Sequence, residues 1–284
     1  MPRPATTVLA LVLGLGLVAG CAEPGGSPSP SGPAGFALRA WITQALPPID
    51  SFPTAAPSLV VDRGIVITAG PVPAIYPGPL MPNHIARPIS EAGQHAIVAA
   101  ARAAGLLDGP ADLTGGSMPG AQTGHLLFVI DGVEREVLGD PNRQIVCITA
   151  PCDAAPGTPE AFGAFWARLS DPTGWLGAEL GPETRYDPER LAVLLTEPTL
   201  DAALPPSFAT WPIDGELLKF GTVFAVPQGT PPVRCGVIEG DEVAAALVAF
   251  RAANQLTRWT DGTGAERGAV VRSLFPGEPD PCGA

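Results

Sequence analysis

Lysine is almost absent from this chain. Lys219 is the single lysine among 16 basic residues, set against 28 acidic ones for a formal net charge of −12. A body this acidic is repelled by phosphate backbones, so nucleic acid is excluded as a partner. The lack of lysine itself reads as base composition. Histidine is equally scarce: His84, His95 and His125 have no paired spacing, and Cys147-x4-Cys152 would need two further soft or imidazole ligands to hold zinc. Nucleotide-binding glycine motifs are missing, and Asp261–Glu266 carries too few oxygen ligands for a calcium loop. Around Ser117, Pro119 stands where a nucleophile elbow requires glycine, and Glu216 occupies the position that a Ser-x-x-Lys ending at Lys219 would need. No catalytic residue, metal ligand or cofactor is therefore assigned. Beyond the first 22 residues no run approaches the roughly 18 consecutive apolar residues of a membrane span.

What is present begins with the leader. Arg3 is the only charge before an apolar run from Val8 to Val18, too short to cross a hydrocarbon core of roughly 30 Å. One positive charge, a short apolar stretch and small residues before a break form the layout of a secretory signal peptide. The break reads Leu17-Val18-Ala19-Gly20-Cys21, which resembles the lipobox of bacterial lipoproteins. That resemblance implies cleavage after residue 20, a diacylglycerol on the Cys21 thiol and a further acyl group, such as palmitate, on the new amine. Two or more chains suffice for stable anchoring, at about 0.8 kcal/mol per buried methylene. The expected location is the extracytoplasmic face of the cell membrane. Residues 21–35, rich in Gly, Ser and Pro, read as a tether.

Export sets the state of the other cysteines. Cys147, Cys152, Cys235 and Cys282 permit three pairings. The pairs Cys147–Cys152 and Cys235–Cys282 are expected, because the first two are close in sequence.

With 34 glycines and 35 prolines, many turns and long irregular connections should separate short elements. Residues 36–43 alternate as a half-buried strand. Leu59–Val61 and Ile65–Ile67 flank a hairpin turn at Gly64, and Asp131-Gly132 between two apolar runs marks a second. Gly70 to Pro82 is a Pro-rich loop in which Ile75 and Tyr76 should pack inward, with an exposed ligand-binding loop as the alternative. Ser90 caps a helix to about Ala104, whose alanines 96, 99, 100 and 103 should approach a sheet. Thr158-Pro159-Glu160 starts a second helix with Phe162, Phe165, Trp166 and Leu169 as its buried stripe. A third, from about Glu242 to Ala253, buries Val243, Ala246, Leu247 and Phe250, with Asn254 as a left-handed terminus. Strands are expected near 191–195, 233–238 and 270–274, and Trp41, Trp175, Trp211 and Trp259 as core or lid residues.

Offsetting the chain by 149 aligns Ile89 with Ile238, Arg102 with Arg251 and Leu107 with Leu256. A duplicated strand–helix–strand unit is the reading of this match. The segments Leu59–Gly64, Tyr76–Pro79, Ser90–Leu107, Arg234–Val237 and Ala253–Trp259 resemble uncharacterised lipoproteins of high-GC bacteria. That likeness implies compartment and fold but no activity. The expected fold is α+β, rich in antiparallel sheet, with about three main helices. It is divided into lobes 36–150 and 151–284, or built as one continuous domain. The expected function is a membrane-anchored, non-catalytic binding module, meeting the membrane through its lipid and an envelope protein as partner. Two alternatives stand beside it: a hydrolase using acids such as Asp131, Glu134 or Asp241, and an inhibitor or accessory partner of an envelope enzyme.

Overall fold

The computed structural model describes residues 35–44, 56–116, 122–143, 154–201, 203–224 and 233–283. Cys21, Cys147, Cys152 and Ser117 lie outside them. The fold is α+β, with four helices and fourteen strands among the described residues, the strands in two mostly antiparallel sheets.

The first sheet grows from two local hairpins. Strands β2 (Leu59–Asp62) and β3 (Ile65–Ala69) meet through Arg63-Gly64, both at positive φ (47° and 73°). Strands β6 (Thr123–Ile130) and β7 (Val133–Gly139) meet through Asp131-Gly132, at 52° and 77°. Positive φ at both central residues gives the turn a twist that matches the strands it joins. With β1 (Ala37–Thr43), β4 (His84–Pro88), β5 (Asp112–Leu113) and β8 (Thr184–Arg185), the spatial order is β5-β7-β6-β1-β2-β3-β4-β8. The second sheet runs β10 (Ser207–Thr210), β13 (Thr257–Thr260), β14 (Glu266–Leu274), β9 (Arg190–Thr196), β12 (Val233–Glu239), β11 (Thr222–Phe224).

Helix α1 (Glu91–Ala103) starts where the Ser90 hydroxyl accepts the Gly93 amide at 3.0 Å. Its buried face is Gly93, Gln94, Ile97 and Ala101; Ala96, Ala99 and Ala103 face solvent, contrary to the expectation from composition. Ile97 sets the face because it has the most apolar surface to bury, whereas exposed alanine costs a helix nothing. Helix α2 (Pro159–Ser170) buries Phe162, Phe165, Trp166 and Leu169 as its spacing predicts. That stripe, with Leu176 of the short α3 (Pro172–Leu176), joins Leu38, Leu126 and Phe128 in the core of the first sheet. A division at residue 150 assigns α2 to the second lobe, whereas its side chains pack in the core of the first.

Helix α4 (Glu242–Ala252) covers the second sheet through Val243, Ala246, Leu247 and Phe250, against Leu191, Val193 and Trp259. It ends on an extended Ala253, and Asn254 does not take the left-handed conformation. Instead the Asn254 side chain accepts the Leu256 amide at 2.9 Å, a local turn that redirects the chain. A strand precedes the helix and a hairpin follows it in both lobes, with β5 standing between α1 and the hairpin in the first only. The sheets seat the hairpins differently: its first strand, β6, is the inner one in the first sheet, and its second strand, β14, is the inner one in the second.

The final segment joins the lobes. Phe275 packs on the outer face of the first sheet with Val60 and Ile67. Cys282 reaches the far face of the second sheet, where it forms a disulfide with Cys235 of β12. Between them, His84 of β4 lies 3.2 Å from the Ser273 hydroxyl of β14 and edge-on to Phe275. Burial, and secondarily Arg272, lowers the His84 pKa to about 4. In the unfolded chain it titrates near 6.5. The unfolded state therefore binds the proton first, and stability present above pH 6.5 is lost as pH falls toward 4. The full effect is about 3 kcal/mol, of which about 2 is gone at pH 5. Urea midpoints at pH 7 and pH 5 should show this loss, and the His84→Gln variant should show a smaller one. Equal slopes in both proteins would reject His84 as the source.

Candidate ligand cleft between the lobes

Between β3 and β4 the chain leaves the first sheet and lies over the second. The excursion closes at its base where the Gly70 amide meets the Asn83 carbonyl at 2.8 Å. Its far limb is pinned to the end of α4: the Leu80 amide donates to the Ala253 carbonyl, and the Gln255 amide to the Gly78 carbonyl at 3.0 Å. Prolines 71, 73, 77, 79 and 82 keep this segment extended and withhold the donors a sheet would use. Leu80 and Met81 then enter the second core, 8% and 6% exposed. Ile75 and Tyr76, expected to pack inward, are instead 64% and 66% exposed. The anchoring pair lies four to six residues further on, because pinning Gly78 and Leu80 against α4 leaves the loop tip projecting.

Under this loop lies a cleft of about 540 Å³. Val72, Ile75 and Leu80 form one wall, and Ala269, Val270 and Thr196 of the second sheet form the other. No charged side chain lines it; its polar groups are the neutral side chains of Asn83, Gln255, Thr196 and Thr199. Across the mouth, the Tyr76 hydroxyl donates to Asp201 at 2.8 Å. That bond raises the Tyr76 pKa, while the Ala203 amide first, and Tyr76 second, hold the Asp201 carboxyl below its usual range. Of the nine large apolar side chains exposed among the described residues, Val72, Ile75, Tyr76 and Leu200 gather on this loop and beside Thr199.

The other described cavities differ in kind. One of about 360 Å³ holds two carboxylates, Asp62 and Glu189, but Arg63 stands between them at 2.8 and 3.7 Å. Burial drives the phenol of Tyr186, in the same hollow, up to about 12. Asp131 and Glu134 sit exposed at the tip and flank of the β6–β7 hairpin, and Asp241 sits exposed before α4. None of the three lines a described cavity, and Asp241 lies on the second lobe, away from the hairpin that carries the other two. His95 is exposed on α1, whereas His125 and Glu136 are brought together on the first sheet, 2.8 Å apart. Trp211 and Trp259 are core residues, 5% and 0% exposed; Trp41 and Trp175 are half-buried. Among the described residues no group of three His, Cys, Asp or Glu could hold a metal ion, and no helix is long and apolar enough to cross a membrane. No family model, no curated protein and no solved structure matches the chain.

Proposed function

We propose that this chain is a lipid-anchored extracytoplasmic binding module whose inter-lobe cleft takes a small, uncharged, apolar molecule. The observation that carries the reading is the cleft itself, with about 540 Å³ of space and a lining free of charge. Its size lies within the 300–1,000 Å³ of small-molecule sites, and apolar walls with a few neutral polar groups are the usual composition of such sites. An anionic ligand would find no cation in the lining and an acidic body around it. The anchor rests on the residues leading to Cys21 and is supported by the Cys235–Cys282 disulfide, since such bonds persist in oxidising compartments.

Native mass spectrometry of the protein extracted from its own membranes in mild detergent tests both halves. The expected result is acyl mass on the peptide beginning at Cys21 and a neutral molecule released on activation. Ile75→Asp, which sets a carboxylate in the otherwise uncharged wall, should lower occupancy about tenfold or more by opposing apolar burial with a desolvated charge. A first residue without acyl mass would defeat the anchor. A wild-type cleft that arrives empty and takes up no added Nile red, a neutral apolar dye, would defeat the ligand reading. An envelope protein crosslinked at Ile75 in its place would favour the accessory-partner alternative.

A further inference from the structure

On the outer face of the first sheet, three side chains from adjacent strands form one chain of hydrogen bonds. Glu136 of β7 meets His125 Nδ1 at 2.8 Å, and His125 Nε2 meets the Thr43 hydroxyl of β1 at 2.8 Å. A carboxylate can only accept, so Nδ1 carries the proton; the Nε2 lone pair is then turned to Thr43. The ring is held in place by Trp41, stacked on it with centroids 4.8 Å apart and planes 14° from parallel. The arrangement follows from register. Trp41 pairs directly with His125 across β1 and β6, which brings Thr43 to one diagonal of the histidine, while Glu136 faces Leu127 and so reaches it from the other. His125 alternates with Leu126, which points into the core, so the chain of bonds is on the solvent side. Thr43 is exposed, and the His125 side chain is 17% exposed.

A hydroxyl and a base within hydrogen-bond reach, the base oriented by a third group, is the signature of an activated nucleophile. We propose that Thr43 is an acyl acceptor, activated by His125 and Glu136, for small activated carboxylic esters. His125 Nε2 takes the hydroxyl proton as the Thr43 oxygen bonds to the carbonyl carbon. The tetrahedral adduct collapses, the ester C–O bond breaks, and the leaving oxygen receives the proton from Nε2. Water, deprotonated by the same nitrogen, then releases the acid and restores Thr43. The mechanism assigns no backbone donor to the developing oxyanion. Such donors contribute about 10²–10³ in rate. The expected signature is thus a slowly turned-over acyl-threonine.

This inference does not depend on the cleft. The test is to treat the full chain, in detergent micelles, with p-nitrophenyl acetate and to map acetylated peptides. Lys219, an exposed amine paired only with the Glu216 carboxylate at 2.6 Å and remote in sequence from Thr43, serves as an internal reference. Acetyl should appear on Thr43. Its rate relative to Lys219 should fall by about 10²–10⁴ in His125→Gln, the usual contribution of a general base. Glu136→Gln should lower it roughly tenfold or more, by releasing the histidine tautomer. Thr43→Ser should keep the label and Thr43→Val should lose it. Unchanged circular dichroism shows that each variant is folded. Acetyl confined to amines, or Thr43 labelling that His125→Gln does not slow, would overturn the proposal.

Discussion

Replacing Cys282 by serine will cost the fold about 4 kcal/mol. The disulfide closes a loop of sequence separation 47, and the chain-entropy model assigns about this much to a loop of that length. The bond is well placed to deliver it. Cys235 is fully buried in the middle of β12, flanked by β9 and β11, and Cys282 is 9% exposed against Leu194 and Val233. The closed loop takes in most of β12, then α4, β13 and β14, half the strands of the second sheet and the helix that covers it. Without it, the last residues are held by Phe275, by the ion pair at Arg272 and by local bonds such as the Cys282 amide to Asp280 at 2.7 Å. Against a total stability of 5–15 kcal/mol, a loss of this size is decisive. Thermal unfolding should move down by roughly 10 °C for a chain this long. Reduction of the wild type should lower it at least as far, and any further shift on reducing Cys282→Ser reports the expected Cys147–Cys152 bond. A change below about 1 kcal/mol would mean that the unfolded chain is already restricted without the bond.

The parts of the fold legible in the sequence are those whose cause is local. Arg63-Gly64 and Asp131-Gly132 announce hairpins because few residue pairs take positive φ twice in succession. Phe162, Phe165, Trp166 and Leu169 announce a helix face because four large apolar side chains at helical spacing have one way to be buried together. Where the reading departs from the structure, a non-local fact intervenes. The alanines of α1 match a packing face by size, yet Ile97 decides which side turns inward. Ile75 and Tyr76 are the bulkiest apolar residues in the middle of the Pro-rich loop, but the bonds from Gly78 and Leu80 to the end of α4 place Leu80 and Met81 in the core instead. The cleft is invisible from sequence because its walls come from residues near 75 and near 270, which meet only after both sheets form.

The outer face of the first sheet shows the same limit more finely. Period-two alternation puts Glu134 and Glu136 on one side of β7, and that much is readable. Which of them meets a histidine depends on the register of β7 on β6, fixed by the two-residue turn at Asp131-Gly132. That Thr43 completes the chain of bonds depends on β1 pairing with β6 across 82 residues of sequence. The scarcity of histidine made His125 easy to notice and, by itself, uninformative.

Changing Glu278 to glutamine should destabilise the protein by about 3–5 kcal/mol, an effect comparable to losing the disulfide. Glu278 and Arg272 form an ion pair of 2.6 Å with side chains only 10% and 5% exposed. The second carboxylate oxygen accepts the Phe275 amide at 3.0 Å, and the Glu278 amide returns a bond to the Phe275 carbonyl. The carboxylate thus fixes the turn that sets Phe275 against the first sheet. Two charges out of water gain little net stability from each other, but removing one takes away the attraction that offsets the desolvation of both. Glutamine preserves the shape and the acceptor for Phe275, so its cost reports the charge alone. Arg272→Met together with Glu278→Leu should recover much of the loss, since an apolar pair of similar volume carries no desolvated charge, less the cost of the Phe275 amide left without its acceptor. Denaturant midpoints of the single and double variants decide it, and a double variant no better than Glu278→Gln would show that the turn, not the charge, carries the energy. The pair and the disulfide hold the same few residues, so Glu278→Gln in the Cys282→Ser background should cost less than the sum of the two alone.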